Sequence, residues 1–281
     1  MRYSDLFTLS LEKLKTITST DSASINIQLL IEEVFNLSRT DFWIKKNQSI
    51  TDHTLLKKFH RLLLRLQRNE PIAYILKKKE FYCEIFFVNK NVLIPRPETE
   101  LLVEAAIPLA KNAHSVLDIG AGSGIISIVL AKYTNAEITA IDISPKALYV
   151  LKKNSRLHNV NNRIKAIQGN LFPKTSKKFD VIVSNPPYIP IKEWQELEPG
   201  VKDFEPQLAL AAGEDGLDII RRIVKPIHLY LQPQGYLLME FGFGQKDKLK
   251  TVLEENHLSI VQWIDDYSRI PRVVVCSLKE K

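Results

Sequence analysis

Short apolar segments alternate with segments of helical periodicity from about residue 96 onward, and this alternation limits the possible folds more than any other feature. Four of the apolar segments are SVLDIG (115–120), EITAID (137–142), IKAIQGN (164–170) and KFDVIVSN (178–185). Helical patterns lie between the first and second segments and between the second and third. Apolar strands that alternate with helices predict a mostly parallel, doubly wound α/β sheet.

The C-terminal part continues this pattern and then changes it. DGLDIIRRIVKPIHLYL (215–231) predicts one long helix, GYLLMEFG (235–242) a strand and KDKLKTVLEEN (246–256) another helix. LSIVQWIDD (258–266) and RVVVCSL (272–278) then follow each other without a helix between them. Two strands joined in this way predict a C-terminal antiparallel hairpin.

Residues 1–71 have a different character. Apolar side chains recur there at three- and four-residue spacing, with lysines and arginines between them. The clearest stripe consists of Leu56, Phe59, Leu62, Leu63, Leu64 and Leu66. We predict a small helical bundle over residues 1–71 that buries such stripes. The aromatic and β-branched segment FYCEIFFV (81–88), with a turn at 89–91, predicts a connecting β-hairpin over residues 72–95.

Positive charge is concentrated at the N-terminus. The net charge is +7; residues 1–79 contain 14 lysines and arginines but 8 aspartates and glutamates, and the rest of the chain contains 25 and 24. On charge alone, we favour the interpretation that these side chains solvate helical surfaces, and the alternative is an anionic or RNA-associated partner. With 45% hydrophobic and 25% charged residues, the composition excludes a disordered chain.

The sequence also bears on the compartment. Every apolar run is shorter than the roughly 18 residues that a membrane span requires. The N-terminal segment has charges where a signal peptide has its apolar core. Cys83 and Cys276 are far apart and form no CxxC, so we expect neither a disulfide framework nor a metal site. These features predict a soluble, cytoplasmic protein without membrane contact.

Three glycines follow the first strand of the α/β part. VLDIGAGSGI places Gly120, Gly122 and Gly124 where glycine lets the backbone approach a ligand and turn into a helix N-terminus. The next strand ends at Asp142, where an acidic side chain accepts hydrogen bonds from both ribose hydroxyls of an adenine nucleoside. Because Ile125 replaces the third glycine of GxGxxG, the spacing favours a nucleoside without a pyrophosphate. The alternative is that the glycines only form the turn.

The fourth strand ends in Ser184-Asn185-Pro186-Pro187-Tyr188. Two prolines fix an extended, rigid turn beyond the carboxyl end of the strand, where open α/β sheets bind their ligands. A planar NH2 group needs two in-plane acceptors and a flat surface. Asn185 Oδ1, the Pro186 carbonyl and the Tyr188 ring supply them. Asn-Pro-Pro alone is an ordinary turn, but after the glycine turn and Asp142 it predicts a site for a planar amino group.

Together, the glycine turn, Asp142 and NPPY resemble class I S-adenosylmethionine-dependent methyltransferases that act on planar amino groups. LIPRPETE (93–100), FEPQLALAAGEDGLDIIRRI (204–223) and the preceding helical domain resemble the PrmC/HemK family, over essentially the whole chain. Members of that family methylate the side-chain amide nitrogen of glutamine in the GGQ loop of class I peptide chain release factors.

The resemblance implies a Rossmann-like methyltransferase domain over residues 96–281, with S-adenosyl-L-methionine as its methyl donor. It also implies that residues 1–71 dock a class I release factor, the expected partner. We expect a monomer that has no direct nucleic-acid substrate. The amide would donate both N–H groups to the NPPY acceptors, which stabilise the developing positive charge, so we expect no strong base.

For catalysis and glutamine binding, the candidates are Asn185, Pro186, Pro187 and Tyr188. Asp118, just before the glycines, is expected to accept from an amino group such as that of a methionine moiety. The full set of cofactor-binding candidates is Asp118, Gly120, Ala121, Gly122, Ser123, Gly124, Asp142, Ile143, Asn170, Leu171 and Asn185.

Two further stretches are candidates for the pocket. Arg96, Glu98 and Thr99 either line it or cap the helix that follows. Glu205-Pro206 is a further candidate loop over the site.

One stretch departs from the family pattern. Family members usually carry an acidic residue, and often an aromatic one, after the third methyltransferase strand, where this chain has Gly169-Asn170-Leu171-Phe172. We expect the Asn170 carbonyl to bond the adenine amino group and either Leu171 or Phe172 to cover the ring. Somewhat weaker cofactor affinity is expected.

Two other classes of function remain open. The first is an adenine or guanine amino methylase whose basic N-terminal domain grips phosphates. The absence of a long insertion after NPPY and the leucine-striped N-terminal module argue against it. The second is a non-enzymatic nucleoside binder or an NAD-dependent oxidoreductase, against which Ile125 and NPPY argue.

Overall fold

A computed structural model describes residues 1–279 of the chain. These residues form two compact units, one of Met1–Lys77 with Glu198–Phe204, the other of Lys78–Leu197 with the residues from Glu205 onward. Among the described residues, every helix is too short or too polar to span a bilayer.

The helices are α1 (Tyr3–Leu14), α2 (Thr20–Phe35), α3 (Arg39–Lys45), α4 (His53–Leu66), α5 (Ile72–Leu76), α6 (Thr99–Lys111), α7 (Ile125–Tyr133), α8 (Pro145–Leu157), α9 (Pro199–Lys202), α10 (Asp218–Val224), α11 (Ile227–Tyr230) and α12 (Lys246–Glu255). The strands are β1 (Lys78–Phe81), β2 (Glu84–Phe87), β3 (Ser115–Ile119), β4 (Glu137–Asp142), β5 (Ile164–Gln168), β6 (Phe179–Ser184), β7 (Leu231–Glu240), β8 (Leu258–Asp265) and β9 (Pro271–Leu278). Two short 3-10 helices cover Glu193–Glu196 and Gln207–Ala209.

The N-terminal unit is a helical bundle with its own apolar core. Helices α1, α2 and α4 contribute side chains to one buried cluster, and Leu30 and Phe59 are fully buried in it. The side chains of Ser19 and Ser38 accept hydrogen bonds from backbone N–H groups and so begin α2 and α3. The predicted small helical bundle is confirmed.

The second unit is built on a seven-stranded sheet with the order β5-β4-β3-β6-β7-β9-β8. Strands β3 to β7 pair in parallel, whereas β9 is antiparallel to both of its neighbours. Successive β3 residues enter different cores: Val116 belongs to a cluster with residues of α6 and α7, and Leu117 to one with residues of α10 and α12. Helices therefore cover both faces of the sheet. The predicted α/β fold with a C-terminal antiparallel hairpin is confirmed.

The connecting hairpin differs from the prediction for residues 72–95. Residues 72–76 form α5, and the strands are limited to β1 and β2. The turn between these two strands lies at Tyr82 and Cys83, with φ values of 52° and 57°. The predicted turn at residues 89–91 is also present, after β2, where the Val92 N–H donates to the Asn89 carbonyl at 3.1 Å. A two-residue turn with positive φ at both positions usually contains asparagine, aspartate or glycine. Tyr-Cys carries no such signal, which explains why the turn between β1 and β2 was not predicted.

The prediction of a single helix over residues 215–231 is wrong. The segment contains two short helices, α10 and α11, with Lys225 and Pro226 between them. Proline has no N–H group for the helical hydrogen bond, and its ring clashes with the preceding turn. Strand β7 then begins at Leu231, four residues before the predicted start.

Candidate active site

A cavity of about 200 Å³ lies at the carboxyl ends of the parallel strands. Its wall includes residues that follow β3, β4, β5 and β6. This is the edge at which open α/β sheets bind ligands. Of the candidates from the sequence, those that line the cavity are Arg96, Thr99, Gly120, Ala121, Gly122, Ser123, Asp142, Ile143, Asn170, Leu171, Asn185, Pro186, Pro187 and Pro206.

The glycine turn forms one part of this wall. Gly120, Gly122 and Gly124 all have positive φ, and the N–H groups of Gly120 and Ala121 both donate to the Ile141 carbonyl, at 2.9 and 3.0 Å. A Cβ atom on Gly120 would meet no other atom within 4 Å, so this glycine leaves room at the wall. Gly124 does not line the cavity; a Cβ atom there would lie 2.8 Å from Leu151 Cγ.

Asp142, the last residue of β4, is held in one orientation. Its Oδ2 accepts from the Gly122 N–H and its Oδ1 from the Ser144 N–H, both at 2.8 Å. Burial raises the pKa of the Asp142 carboxyl, and the two N–H bonds oppose that rise. A carboxylate has about four lone-pair positions, so each oxygen keeps capacity for a ligand hydroxyl.

Asp118 is fully buried within β3 and does not line the cavity. Its Oδ2 accepts from the N–H and the hydroxyl of Ser127, at 3.1 and 2.5 Å. Within residues 1–279, Oδ1 is the one buried side-chain polar atom without a hydrogen-bond partner. Burial raises the pKa of Asp118 to about 7, the Ser127 bonds oppose the rise, and the Asp142 carboxylate adds to it. Its contact with an amino group stays a prediction.

The stretch after β5 separates two residues that the sequence left as alternatives. Leu171 lines the cavity, whereas Phe172 does not and stacks on Tyr230, with ring centroids 4.2 Å apart. Asn170 Oδ1 accepts from the Arg222 guanidinium at 3.0 Å, and Arg222 also lines the cavity. The carbonyl that was expected to bond an adenine amino group therefore already has one partner.

The NPPY segment leaves the sheet beside a buried acid. Strands β6 and β7 are neighbours and pair with Ser184 opposite Met239. The next residue after Ser184 is Asn185, which follows β6, and the next after Met239 is Glu240, which ends β7. Glu240 is 1% exposed and was not among the residues named from the sequence. The available signal was an acidic residue at the carboxyl end of an apolar strand.

Thr99 joins these two residues. Asn185 Nδ2 donates to Thr99 Oγ1 at 3.0 Å, and Thr99 Oγ1 donates to Glu240 Oε2 at 2.7 Å. Thr99 is not the cap of α6: the N-cap position belongs to Glu98, whose side chain makes no capping bond. Of the two roles predicted for Thr99, capping the helix or lining the pocket, the structure shows the second. Glu98 does not line the cavity.

Tyr188 reaches the same acid from the other side. Its hydroxyl donates to Glu240 Oε1 at 3.4 Å, and its backbone carbonyl accepts from Gln245 Nε2 at 2.8 Å. Tyr188 lines a second cavity, of about 870 Å³, and not the first. Burial and the Glu240 carboxylate raise the pKa of the Tyr188 hydroxyl, which therefore stays protonated.

The LIPRPETE and FEPQL stretches meet at one ion pair. Glu205 is buried; its Oε1 accepts from the Arg96 guanidinium at 2.6 Å and its Oε2 from the Ile94 N–H at 3.0 Å. A buried carboxylate with a hydrogen bond on each oxygen holds together the two segments that donate to it. Arg96 and Pro206 both line the first cavity, so this pair shapes its wall.

Comparisons with known proteins identify relatives of this chain. Two family models match the chain: the PrmC N-terminal domain over residues 9–76 and the methyltransferase small domain over residues 97–197. The release factor glutamine methyltransferase of Fusobacterium nucleatum is 36% identical over 276 residues, which cover 96% of this chain and 77% of that protein. The protein of the same name from Geobacter sulfurreducens is 36% identical and covers 90% of this chain and 89% of its own length.

A solved structure supports the fold. A methyltransferase from Pyrococcus furiosus matches with a TM-score of 0.55, covering 77% of this chain and 98% of that chain. The sequence identity is 16%, so this likeness concerns the fold alone.

Proposed function

The chain belongs to the release factor glutamine methyltransferase family, and we propose that it methylates the side-chain amide nitrogen of the GGQ glutamine in class I peptide chain release factors. The methyl donor is S-adenosyl-L-methionine. The observation that carries the proposal is that Asn185 and Pro186 share one cavity with the glycine turn and Asp142. A wall suited to a nucleoside and a wall suited to a planar amide thus border the same space.

The residues present fit the donor. Gly120 leaves open room at the wall, and Asp142 is oriented by two backbone N–H groups with lone pairs left for ribose hydroxyls. Leu171 provides apolar surface for the adenine ring. When bound, S-adenosylmethionine supplies a methyl carbon that forms a bond to the amide nitrogen while the sulfonium sulfur keeps the electron pair of the broken C–S bond.

The acceptor wall suits a glutamine amide. Asn185 Nδ2 donates a hydrogen bond to Thr99, so Asn185 Oδ1 is left to accept one N–H of the substrate amide. The Pro186 carbonyl is the proposed acceptor of the other N–H. Two acceptors orient the nitrogen and stabilise the positive charge that develops on it. The extra proton of the product nitrogen then passes to water. Tyr188 lines the second cavity and not this one, and its contact with the flat face of the amide stays a prediction.

The proposed partner and location follow from this substrate. We propose that the basic N-terminal helical unit docks the release factor, and that nucleic acid is not methylated directly. The enzyme would act as a monomer in the cytoplasm, where release factors work.

Transfer of labelled methyl from S-adenosylmethionine tests the proposal. The acceptors are a class I release factor, its variant with the GGQ glutamine replaced by alanine, and bulk DNA and RNA. We expect label on the factor and none on its variant. Label on nucleic acid alone would overturn the proposed substrate while leaving the methyltransferase assignment intact.

A further inference from the structure

Four side chains from three separate parts of the second unit form one continuous hydrogen-bond chain: Asn185, Thr99, Glu240 and Tyr188. We propose that Thr99 and Glu240 are positioning residues that fix the Asn185 amide with its oxygen available to the substrate glutamine. This inference deepens the proposed function and rests on it.

The chemistry of the chain dictates its direction. An ionised carboxylate only accepts hydrogen bonds, so the single hydroxyl proton of Thr99 is directed to Glu240, 2.7 Å away. The Thr99 oxygen is then left as an acceptor towards Asn185. Asn185 must therefore present its NH2 group to Thr99. Its Oδ1 is then on the other side of the side-chain amide, away from Thr99. The required orientation thus follows from donor and acceptor counting.

The second oxygen of Glu240 completes the network. The Tyr188 hydroxyl donates to it, so one buried acid restrains both the amide and the ring of the NPPY segment. Because both oxygens are bonded and the residue is 1% exposed, water does not compete for these contacts. The acid itself contacts no substrate in the proposed reaction, which makes its role indirect.

Protonation of Glu240 would weaken this control. A protonated carboxyl can donate to Thr99, whose proton could then point to Asn185 Oδ1 and reverse the amide. The groups that face Glu240 are Thr99 and Glu98 at the start of α6, Tyr188 after β6 and Arg272 in β9. Burial raises the pKa of Glu240 to about 7, which places this change within the neutral range. Turnover should therefore fall as the pH drops through that range.

The test compares Thr99→Val, which removes the hydroxyl and keeps the shape, with Thr99→Ser, which keeps the hydroxyl. The matched control is Thr134→Val, since Thr134 is buried and its hydroxyl bonds the Leu130 carbonyl outside this network. We expect Thr99→Val to lower kcat for release factor methylation about 10- to 100-fold. KM for the factor and Kd for S-adenosylmethionine should stay within about twofold of the wild type, because the binding surfaces are kept. Thr99→Ser should recover most of the rate, and Thr134→Val should match the wild type.

Two further readouts separate positioning from general structure. In the free protein, the Asn185 side-chain NH2 resonances should move towards those of an unbonded amide in Thr99→Val and stay in place in Thr99→Ser. The acid limb of the kcat–pH profile near pH 7 should be lost in Thr99→Val. If valine prevents folding, Thr99→Ala removes the same hydroxyl without added bulk.

The outcomes are distinguishable. A wild-type kcat and unmoved Asn185 resonances in Thr99→Val would overturn the inference while leaving the proposed function standing. A wild-type enzyme that labels no release factor would overturn the proposed function. The resonance shift would then still report whether Thr99 orients Asn185. Equal loss of kcat in Thr99→Val and Thr99→Ser would also count against the inference, since the hydroxyl would not be the group that matters.

Discussion

The cavity has a donor wall, formed by Gly120, Gly122 and Asp142, and an acceptor wall, formed by Asn185, Pro186 and Thr99. The two walls are held in place by different kinds of contact. On the donor wall, Asp142 is bonded by backbone N–H groups of Gly122 and Ser144, the first 20 residues and the second 2 residues away. On the acceptor wall, Thr99 bonds Asn185 and Glu240 through side chains, 86 and 141 residues away. Backbone contacts survive most substitutions, whereas side-chain contacts do not. Because the donor wall is proposed to hold S-adenosylmethionine and the acceptor wall the reacting amide, we expect substitutions at the first to affect binding and those at the second to affect turnover.

A buried acid lies near each wall, and the two acids differ in how their carboxylate oxygens are hydrogen-bonded. Burial raises the pKa of both Asp118 and Glu240 to about 7. Glu240 has a hydrogen bond on each oxygen, from Thr99 and Tyr188. Asp118 has both of its bonds on one oxygen, from Ser127. An acid with a hydrogen bond on each oxygen restrains both of its neighbours, while an acid with an unbonded oxygen has a free acceptor for another donor.

The largest expected effect is at the acceptor wall. Asn185→Ala removes the proposed acceptor for one amide N–H. We expect kcat to fall about 100- to 1,000-fold, as happens when a hydrogen-bonding group that stabilises transition-state charge is deleted. The donor wall is unchanged, so Kd for S-adenosylmethionine should stay within about threefold. Single-turnover methylation and calorimetric titration measure the two quantities. Normal turnover by this variant would refute the hydrogen-bonding role.

The second effect concerns the cost of burying Glu240. In the folded protein its pKa is raised to about 7 from an ordinary value of 4.5, so the folded state holds the proton to higher pH. The associated stability is fully present below about pH 4.5 and is lost as the pH rises through about 7. Glu240→Gln cannot ionise. Relative to this variant, the wild type should lose free energy of unfolding between pH 4.5 and pH 7, on the order of 3 kcal/mol at most.

Urea unfolding of both proteins at several pH values measures this difference. The remaining acids, including Asp118, titrate in both proteins and cancel in the comparison. A difference that does not depend on pH would show that Glu240 ionises at its ordinary pKa despite its burial.

These two walls also explain what could be predicted from the sequence. The glycine turn, Asp142 and NPPY are recognisable because each lies within a few residues of a strand end. The strands and helices between residues 115 and 184 follow the predicted pattern for the same reason, since hydrophobic periodicity is local.

Contacts between distant segments carry no such signal. The meeting of Thr99 with Glu240 depends on the order of β6 and β7 and on their register, which tertiary structure sets. Phe172 was an equal candidate with Leu171 because its alternative partner, Tyr230, lies far along the chain. The Tyr82-Cys83 turn was missed because neither residue has the usual preference for positive φ.

The third prediction addresses the donor wall directly. Asp142→Ala removes the carboxylate proposed to bond the ribose hydroxyls, so Kd for S-adenosylmethionine should rise about 10- to 100-fold. At saturating donor, kcat should fall much less than in Asn185→Ala. Asp142→Asn keeps one carbonyl acceptor and should give an intermediate Kd. A large loss of kcat at saturation with an unchanged Kd would break the division of roles between the two walls.

The smallest expected effect distinguishes Leu171 from Phe172 as the cover of the adenine ring. Leu171 lines the cavity, so Leu171→Ala should weaken donor binding about fivefold, the amount that loss of about 1 kcal/mol of apolar contact produces. Phe172 stacks on Tyr230 outside the cavity wall, so Phe172→Ala should lower the free energy of unfolding and leave Kd within about twofold. Titration with S-adenosylmethionine measures both Kd values, and thermal unfolding of the free proteins measures the stability change. A weaker Kd in Phe172→Ala with an unchanged Kd in Leu171→Ala would place the adenine against the aromatic ring instead.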